Sequence, residues 1–294
     1  MRKIYQKAII MLSVACMGYA TPAFAADAVV KTNKAWLSGA THIYGRMTVS
    51  GITSSNIKEK GFCYSSVNQM PTVEDGTSKI YLSNQGEIYN ISQLEPATVY
   101  YIRAYVRQTN GDVVYGDPVK AITRPKGGVT YNINDGFPSD ALARVEPAAK
   151  QAIDLWNEYT GIHGLHITIN YGAQTPTADC SYGGWMRVGP NASYQKTGTL
   201  LHEMLHAIGV GTHAIWQNSF LRANTTSGYW LGARATRALR FLDNSTTVRL
   251  NGDGTHMWPY GVNGAHEDNG SQLLYEGNSL LAEDLGEAVL SPTN

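Results

Sequence analysis

The hydrophobic and polar positions of the chain change their period near residue 125. Over residues 28–124 they alternate in short runs that Gly, Asn and Asp interrupt, and residues 43–49 and 98–106 are two such runs. Alternation with a period of two predicts strands, so this part is expected to form a β-sandwich. Asn110-Gly111-Asp112 predicts a hairpin turn. Further short strands are predicted at residues 79–82, 87–91 and 113–115.

After residue 128 the pattern mixes strands and helices. Apolar residues recur with helical spacing over residues 141–159, although Pro147 could divide this helix, and a second helix is predicted from Thr199. Strands are predicted at residues 129–133, 166–171 and 184–189. We therefore predict an α+β chain with a β-sandwich at 28–124, a linker at 125–128 and a mixed-sheet domain at 129–294. The strand at 184–189, expected at the sheet edge, could bind a substrate backbone by strand addition.

The first 25 residues have the pattern of a secretory signal peptide. Basic residues precede an apolar run at 8–20, and Ala23-Phe24-Ala25 is a small-x-small cleavage site. We therefore expect a protein that is secreted, periplasmic or held at the cell surface. Cys16 raises a lipoprotein alternative, which Ser13 disfavours because a lipobox prefers Leu there. No other stretch is long and apolar enough to span a bilayer.

The net charge and the cysteine content indicate which partners and which covalent bonds to expect. The chain has 23 basic and 23 acidic residues and no basic stripe, which argues against a nucleic-acid partner. Cys63 and Cys180 remain after the signal peptide. They fall in different predicted domains, so two buried free thiols are expected rather than one disulfide bond.

The main chemical signal is His202-Glu203-x-x-His206 on the second predicted helix. Residues four apart lie on the same helical face, so both imidazoles could bind one metal ion. Glu203 then lies where a general base for a bound water is needed, which is the pattern of zinc hydrolases. The alternative is an ordinary amphipathic helix in which the histidines are incidental. The expected cofactor is Zn²⁺, with three protein ligands and one water.

The residues after this helix resemble one branch of the metzincin peptidases. In simple metzincins a third His follows Gly209 by three residues, but Thr212 occupies that position and His213 is one residue late. The segment 209–216 is instead similar to leishmanolysin-like bacterial metzincins, in which an insertion precedes the third His. That resemblance covers residues 199–287, including an inserted helix and a closing helix, and it implies that His256 is the third ligand. His213 and His266 remain alternatives.

Three further residues after His256 are candidates for a role near the metal. A metzincin carries a Met in a turn beneath the metal, and the best-matching position holds Leu274, which is sterically tolerable. Tyr260 and Tyr275 are candidates for stabilising an oxyanion, and Tyr260 is our catalytic candidate beside Glu203. The alternative for both tyrosines is an aromatic wall of the cleft.

The sandwich resembles a fibronectin type III domain. Leu94-x-Pro96-x-Thr98-x-Tyr100 is similar to the tyrosine corner of that family. Such a domain implies binding to a cell surface or matrix rather than chemistry.

The combined expectation is a secreted zinc-dependent endopeptidase that acts on polypeptides. Two alternatives remain: a zinc-dependent amidase acting on a non-peptide or cell-wall substrate, and a non-catalytic binding protein with a structural zinc.

Overall fold

The computed structural model describes residues 28–79, 81–82, 87–217 and 227–290. The predicted signal peptide lies outside the described residues. The chain is a mixed α+β protein that begins with nine strands. These strands are β1 (Val29–Ser38), β2 (Ile43–Ser50), β3 (Ile57–Ser65), β4 (Gly76–Ser78), β5 (Tyr81–Leu82), β6 (Ile88–Ile91), β7 (Val99–Gln108), β8 (Val113–Tyr115) and β9 (Val119–Ile122).

The nine strands form two antiparallel sheets. One has the order β1-β2-β6-β5, and the other has the order β4-β3-β7-β8, with β9 also paired to β7. Alternate residues of each strand face the partner sheet, so Phe62, Ile91 and Ile102 lie in a shared core. The Glu95 amide donates a hydrogen bond of 2.9 Å to the Tyr100 hydroxyl, which is the contact that the tyrosine corner predicts.

The second half of the chain begins with a four-stranded sheet and two helices. Its sheet has the order β10-β11-β13-β12, with parallel pairing except for the antiparallel strand β12. The predicted 141–159 helix is continuous through Pro147. The elements are β10 (Gly128–Ile133), α1 (Ser139–Tyr159), β11 (His163–Tyr171), β12 (Ala178–Cys180), β13 (Trp185–Val188) and α2 (Thr197–Ala207).

One strand prediction needs correction. The 184–189 segment was expected at the sheet edge, but β13 lies inside the sheet between β11 and β12. The edge strand is β12, which has only three residues and is too short for an alternating pattern to be visible in the sequence.

The remaining elements build the far side of the second half. Strands β14 (Ser227–Tyr229), β15 (Asn251–Asp253) and β16 (Met257–Trp258) form a small antiparallel sheet. The helices are α3 (Ala214–Gln217), α4 (Ala233–Leu242) and α5 (Gln272–Leu290). Helix α4 falls in the segment where the resemblance implied an inserted helix, and α5 falls where it implied a closing helix.

A second hydrophobic cluster, distinct from the core of the sandwich, spans both halves. Leu37, Tyr44 and Ile88 of the sandwich pack into the same cluster as Trp156 of α1 and Leu281 of α5. The contact between the halves is therefore a packed interface rather than a loose tether.

The described residues contain neither a membrane-spanning helix nor a disulfide bond. No helix there has the length and hydrophobicity needed to cross a membrane. Cys63 and Cys180 are free and buried, as expected.

Candidate metal centre

Three histidines from two separate segments meet in one cleft. Ring nitrogens of His202, His206 and His256 all lie within 4.8 Å of one another. Helix α2 supplies the first two residues, one turn apart on the same face, and the turn between β15 and β16 supplies the third. The structure thus brings together the three metal-ligand candidates that were chosen from the sequence.

Backbone carbonyls fix the orientation of the two helical imidazoles. The Nδ1 of His202 lies 2.7 Å from the Gly261 carbonyl oxygen, and the Nδ1 of His206 lies 2.6 Å from that of Val210. A carbonyl oxygen only accepts, so each Nδ1 must carry the proton and each Nε2 must present its lone pair. The two Nε2 atoms are 3.2 Å apart, so two lone pairs face each other.

The turn at Gly209 explains how the Val210 carbonyl reaches His206. Helix α2 ends at Ala207, and Gly209 adopts a φ of 111°, which glycine accepts without steric cost. This left-handed turn sends the chain back towards the helix, where the Val210 amide also bonds to the Leu205 carbonyl. The glycine that ends the motif therefore also helps to orient the His206 ring.

The third histidine is held by the turn that carries it. The Asp253 carboxylate accepts hydrogen bonds from the Thr255 amide at 2.7 Å and the His256 amide at 2.6 Å. The Trp216 indole donates to the Asp253 carbonyl at 3.0 Å, which ties this turn to α3. Because Asp253 organises the backbone before the ligand, His256 is presented to the cleft by a closed turn.

Burial sets the charge state of the two helical histidines. Burial, followed by the nearby His206, lowers the pKa of His202 to about 4. Burial also lowers the pKa of His206. Both rings are therefore neutral near pH 7, which is the form that binds a metal ion.

Glu203 is the buried carboxyl group of this cleft. Its side chain is only 4% exposed, and its Oε2 has no hydrogen-bond partner among the described residues. Burial, followed by the charge of Asp179, raises the pKa of Glu203 to about 8. A buried carboxyl oxygen without a partner is costly, so this atom calls for a water molecule, a proton or a cation nearby.

The geometry fits a transition-metal ion. Two ligands at the usual ~2.0–2.1 Å in a tetrahedron lie about 3.3 Å apart, close to the separation of the two Nε2 atoms. A cation there would remove the repulsion between the lone pairs and favour the ionised form of Glu203. Imidazole suits zinc, copper, iron and nickel, so the donor set indicates a class of metal and not one element.

The cleft around the three histidines has a volume of about 380 Å³. Its wall includes Thr177, Ala178, Asp179 and Cys180, which belong to or adjoin edge strand β12. Sequence reasoning missed all four residues. Among the described strands, β12 pairs only with β13, so no strand covers its other edge.

The two alternative third ligands lie elsewhere. The His213 ring packs against Tyr182 in a tilted arrangement with 4.8 Å between ring centroids, and its Nδ1 accepts a hydrogen bond from the Ile215 amide. His266 lies in the loop before α5, against Gly264. Neither belongs to the histidine cluster.

Tyr260, the catalytic candidate beside Glu203, lies outside the lining of the cleft. Its hydroxyl donates a 2.8 Å hydrogen bond to the Asp243 carboxylate at the end of α4. It instead adjoins Gly261, whose carbonyl holds His202, so its contact with the site is through the backbone.

Tyr275 and Leu274 also lie outside the lining of the cleft. The Tyr275 hydroxyl donates to Asp268 at 2.6 Å, and Asp268 accepts a bond from the Gly198 amide at the start of α2. Leu274 is in the first turn of α5, whereas the loop that contacts His202 is the earlier one at Gly261.

Comparisons with known proteins assign no family. No family model matches the chain, and no curated protein matches it. Among solved structures, the sixth fibronectin type III domain of a human fibronectin type III domain containing protein 3 aligns at 22% identity and a TM-score of 0.23, covering 34% of this chain and 84% of that one.

Two further solved structures align over about a quarter of their own length. A family 28 exopolygalacturonase from Yersinia enterocolitica aligns at 12% identity and a TM-score of 0.26, covering 48% of this chain and 28% of that one. The vertebrate protein astrotactin-2 aligns at 17% identity and a TM-score of 0.23, covering 45% and 26% respectively. Likenesses this weak leave the function to be argued from the site.

Proposed function

We propose that this protein is a secreted zinc-dependent endopeptidase in which Glu203 is the general base. One observation carries the proposal: the unpartnered Oε2 of Glu203 is buried in the same cleft as three clustered histidines. A purely structural metal site has no use for a buried carboxyl group of this kind, whereas hydrolysis needs one beside the attacking water.

The number of ligands supports a catalytic site over a structural one. Structural zinc sites are closed by four protein ligands, and catalytic sites keep one position open. Within the described residues the cluster contains three candidate ligands, and it opens into the cleft. His202, His206 and His256 would hold the zinc, and the fourth position would remain for water or substrate.

The edge of β12 favours a polypeptide substrate. An extended peptide could add to this strand and make backbone hydrogen bonds, which would place a peptide carbonyl at the cleft. The open side of β12 lies along residues that line the cleft, such as Asp179. A small non-peptide amide would make no use of this edge, so we prefer a peptidase to an amidase.

The steps assigned to the protein are proton transfers. When bound, zinc supplies a polarised substrate carbonyl and lowers the pKa of a water molecule towards ~7. Glu203 takes the proton from the attacking water at Oε2 and then delivers it to the leaving nitrogen. The carbonyls of Gly261 and Val210 keep His202 and His206 in the tautomer that binds metal.

The arrangement of the second half agrees with a metzincin-like peptidase. Between Gly209 and His256 the chain carries α4, and α5 follows the third histidine, as the resemblance to the leishmanolysin-like branch implies. We assign the sandwich to attachment on a cell surface or matrix, and the first 25 residues to secretion.

The decisive experiment compares Glu203→Gln with the wild-type protein. The zinc-loaded mature chain should cleave an unfolded protein such as casein, and chelation should abolish the cleavage. Glu203→Gln should bind zinc but lose turnover by about 10²–10⁴-fold, because the general base is gone. Glu276→Gln, which removes an equally buried carboxyl group outside the cleft, is the matched control and should retain turnover.

The same assay separates the alternatives. Equal turnover of wild type and Glu203→Gln would contradict the proposed role of Glu203. Cleavage of cell-wall amides but not of polypeptides would make the protein an amidase. Tight zinc binding without hydrolysis of either substrate would indicate the structural role.

A further inference from the structure

A second cavity of about 600 Å³ lies where the sandwich meets α4, and no residue lines both this cavity and the metal cleft. We infer that this cavity binds an acidic oligosaccharide through Arg237 and Arg240. A volume of this size is within the range of ~300–1,000 Å³ that holds small ligands, and domain interfaces are common places for them. The inference is independent of the proposed peptidase activity.

The cavity carries positive charge. Its lining includes Arg46, Arg237 and Arg240 and contains no carboxylate. Arg237 and Arg240 are exposed, and no ion pair with a carboxylate is found for either among the described residues. The Nε of Arg240 donates to the Val248 carbonyl at 3.3 Å, which leaves its other donors for a ligand.

Three arginines elsewhere in the described part of the chain provide a contrast. Arg107 pairs with Glu59, Arg144 pairs with Asp140, and Arg187 pairs with Asp179. Arg237 and Arg240 instead lie three residues apart on α4, where like charges repel by a few tenths of a kcal/mol. A neutral chain that leaves two neighbouring guanidinium groups unpaired beside a cavity has a site that suits an anion.

Arg46 makes this region of α4 a rigid wall. Its guanidinium group donates to the Phe241 carbonyl at 2.8 and 3.0 Å and to the Leu242 carbonyl at 3.1 Å. These bonds satisfy the last carbonyls of α4 and neutralise the negative end of the helix. The nearest acidic residue on this element, Asp243, accepts a bond from the Tyr260 hydroxyl and does not line the cavity.

The rest of the lining favours a saccharide over a peptide. Asn33, Thr236, Asn244, Ser245 and Thr246 bring amide and hydroxyl groups, which suit sugar hydroxyls. On the sandwich side the cavity meets an irregular part of β1, where the register to β2 shifts between Thr32 and Trp36. A bulged edge cannot extend a regular ladder, so strand addition by a peptide is disfavoured there.

Isothermal titration calorimetry of the full mature chain tests the inference. The probes are an oligouronate tetramer, a heparin-derived sulfated tetrasaccharide and the neutral cellotetraose. The two acidic probes distinguish carboxylate from sulfate recognition. We expect an acidic tetrasaccharide to bind, more weakly at higher salt, and the double variant R237Q/R240Q to bind it at least tenfold more weakly. The matched control R107Q/R144Q removes two arginines that are paired with acids and should bind like wild type.

Some results would overturn the inference. They are a failure of both acidic probes to bind at millimolar concentration, equal binding of cellotetraose, and an equal loss in R107Q/R144Q. Tighter, arginine-dependent binding of inorganic phosphate or of an acidic peptide would overturn the saccharide assignment. If R237Q/R240Q fails to fold, titration of the wild-type protein while following its arginine Nε–H NMR signals reports the same contact without substitution. Unchanged signals there would count against the site.

Discussion

At the residue scale, the main question is which histidine is the third member of the cluster. His256 has a ring nitrogen within the cluster, whereas the His213 ring packs against Tyr182 and accepts a hydrogen bond from the Ile215 amide. His256 is half-buried and held by Asp253, so it needs little rearrangement to bind a metal. The difference between the two positions can be measured directly.

We predict that His256→Ala loses metal and that His213→Ala does not. Removing one of three ligands should weaken zinc binding by well over the 10–100-fold that loss of an outer hydrogen-bond partner costs. His213→Ala removes only a ring contact outside the cluster. Competition with a fluorescent zinc chelator measures both affinities, and the reverse ranking would transfer the ligand role to His213.

The residues of the centre were only partly predictable from the sequence. The spacing of His202 and His206 fixes their common helical face, Glu203 follows His202 directly in the chain, and His256 was proposed through motif order rather than spacing. The carbonyls of Val210 and Gly261 were missed, because any residue has a carbonyl and only the path of the loop decides which one faces an imidazole. The hydrogen bond from Tyr260 to Asp243 was missed for the same reason.

At the element scale, the loop at Tyr260 connects helices α4 and α5 to the histidine cluster. Its hydroxyl bonds to Asp243 after α4, its ring lies against Gly277 of α5, and its carbonyl accepts a bond from Asn278. The next residue, Gly261, holds His202 and has no room for a side chain because a Cβ there would meet the Met257 carbonyl. Tyr260 is therefore a positioning residue.

We predict that Tyr260→Phe weakens metal binding without removing a ligand. Loss of the bond to Asp243 leaves a carboxylate without its partner and loosens the loop that orients His202, so zinc affinity should fall about tenfold. Tyr275→Phe is the matched control, because it also loses a hydroxyl bond to an Asp but does not adjoin Gly261. The same chelator competition applies, and equal losses in both variants would contradict the positioning role.

The elements themselves follow from the sequence where they are long. Strands β2 and β7 and helices α1 and α2 match their predicted segments because their apolar period extends over many residues, and the shorter β6 and β8 match because apolar residues alternate between clear turn signals. The edge strand was misassigned because β12 is short and contains Asp179, which gives no strand signal. The residues of β12 that line the cleft were therefore not predicted either, because strand order depends on pairing between distant segments.

At the scale of the whole molecule, buried polar groups join the two halves. The Tyr159 hydroxyl donates to Glu276 at 2.8 Å and lies 2.6 Å from the Tyr44 hydroxyl of the sandwich. Arg124, in the predicted sandwich just before the linker, pairs with Glu283, which also accepts a bond from the Gly161 amide.

The sequence predicted a linker from its Pro and Gly content, but composition carries no information about such contacts between distant residues. With a hydrophobic cluster that spans both halves and these bonds, the halves are expected to unfold together.

We predict that Glu276 makes the stability of this interface depend on pH. Burial raises the pKa of Glu276 above its ordinary value of 4.5, and its Oε2 has no partner among the described residues. The folded state therefore holds the proton more tightly than the unfolded chain. The stability that this group contributes is fully present below pH 4.5 and declines as the pH rises through the folded-state pKa, by about 1.4 kcal/mol for each unit of the shift.

Glu276→Gln removes this dependence, because an amide does not ionise. Urea unfolding of both proteins in the presence of a chelator, so that metal binding does not contribute, should give free energies of unfolding whose difference changes in favour of Glu276→Gln as the pH rises from 4.5 to neutrality. A difference that stays constant over this range would mean that neighbouring groups stabilise the ionised carboxylate, so that the pKa of Glu276 is not raised in the folded state. Two separate transitions, one for each half, would instead show that the shared cluster does not couple them.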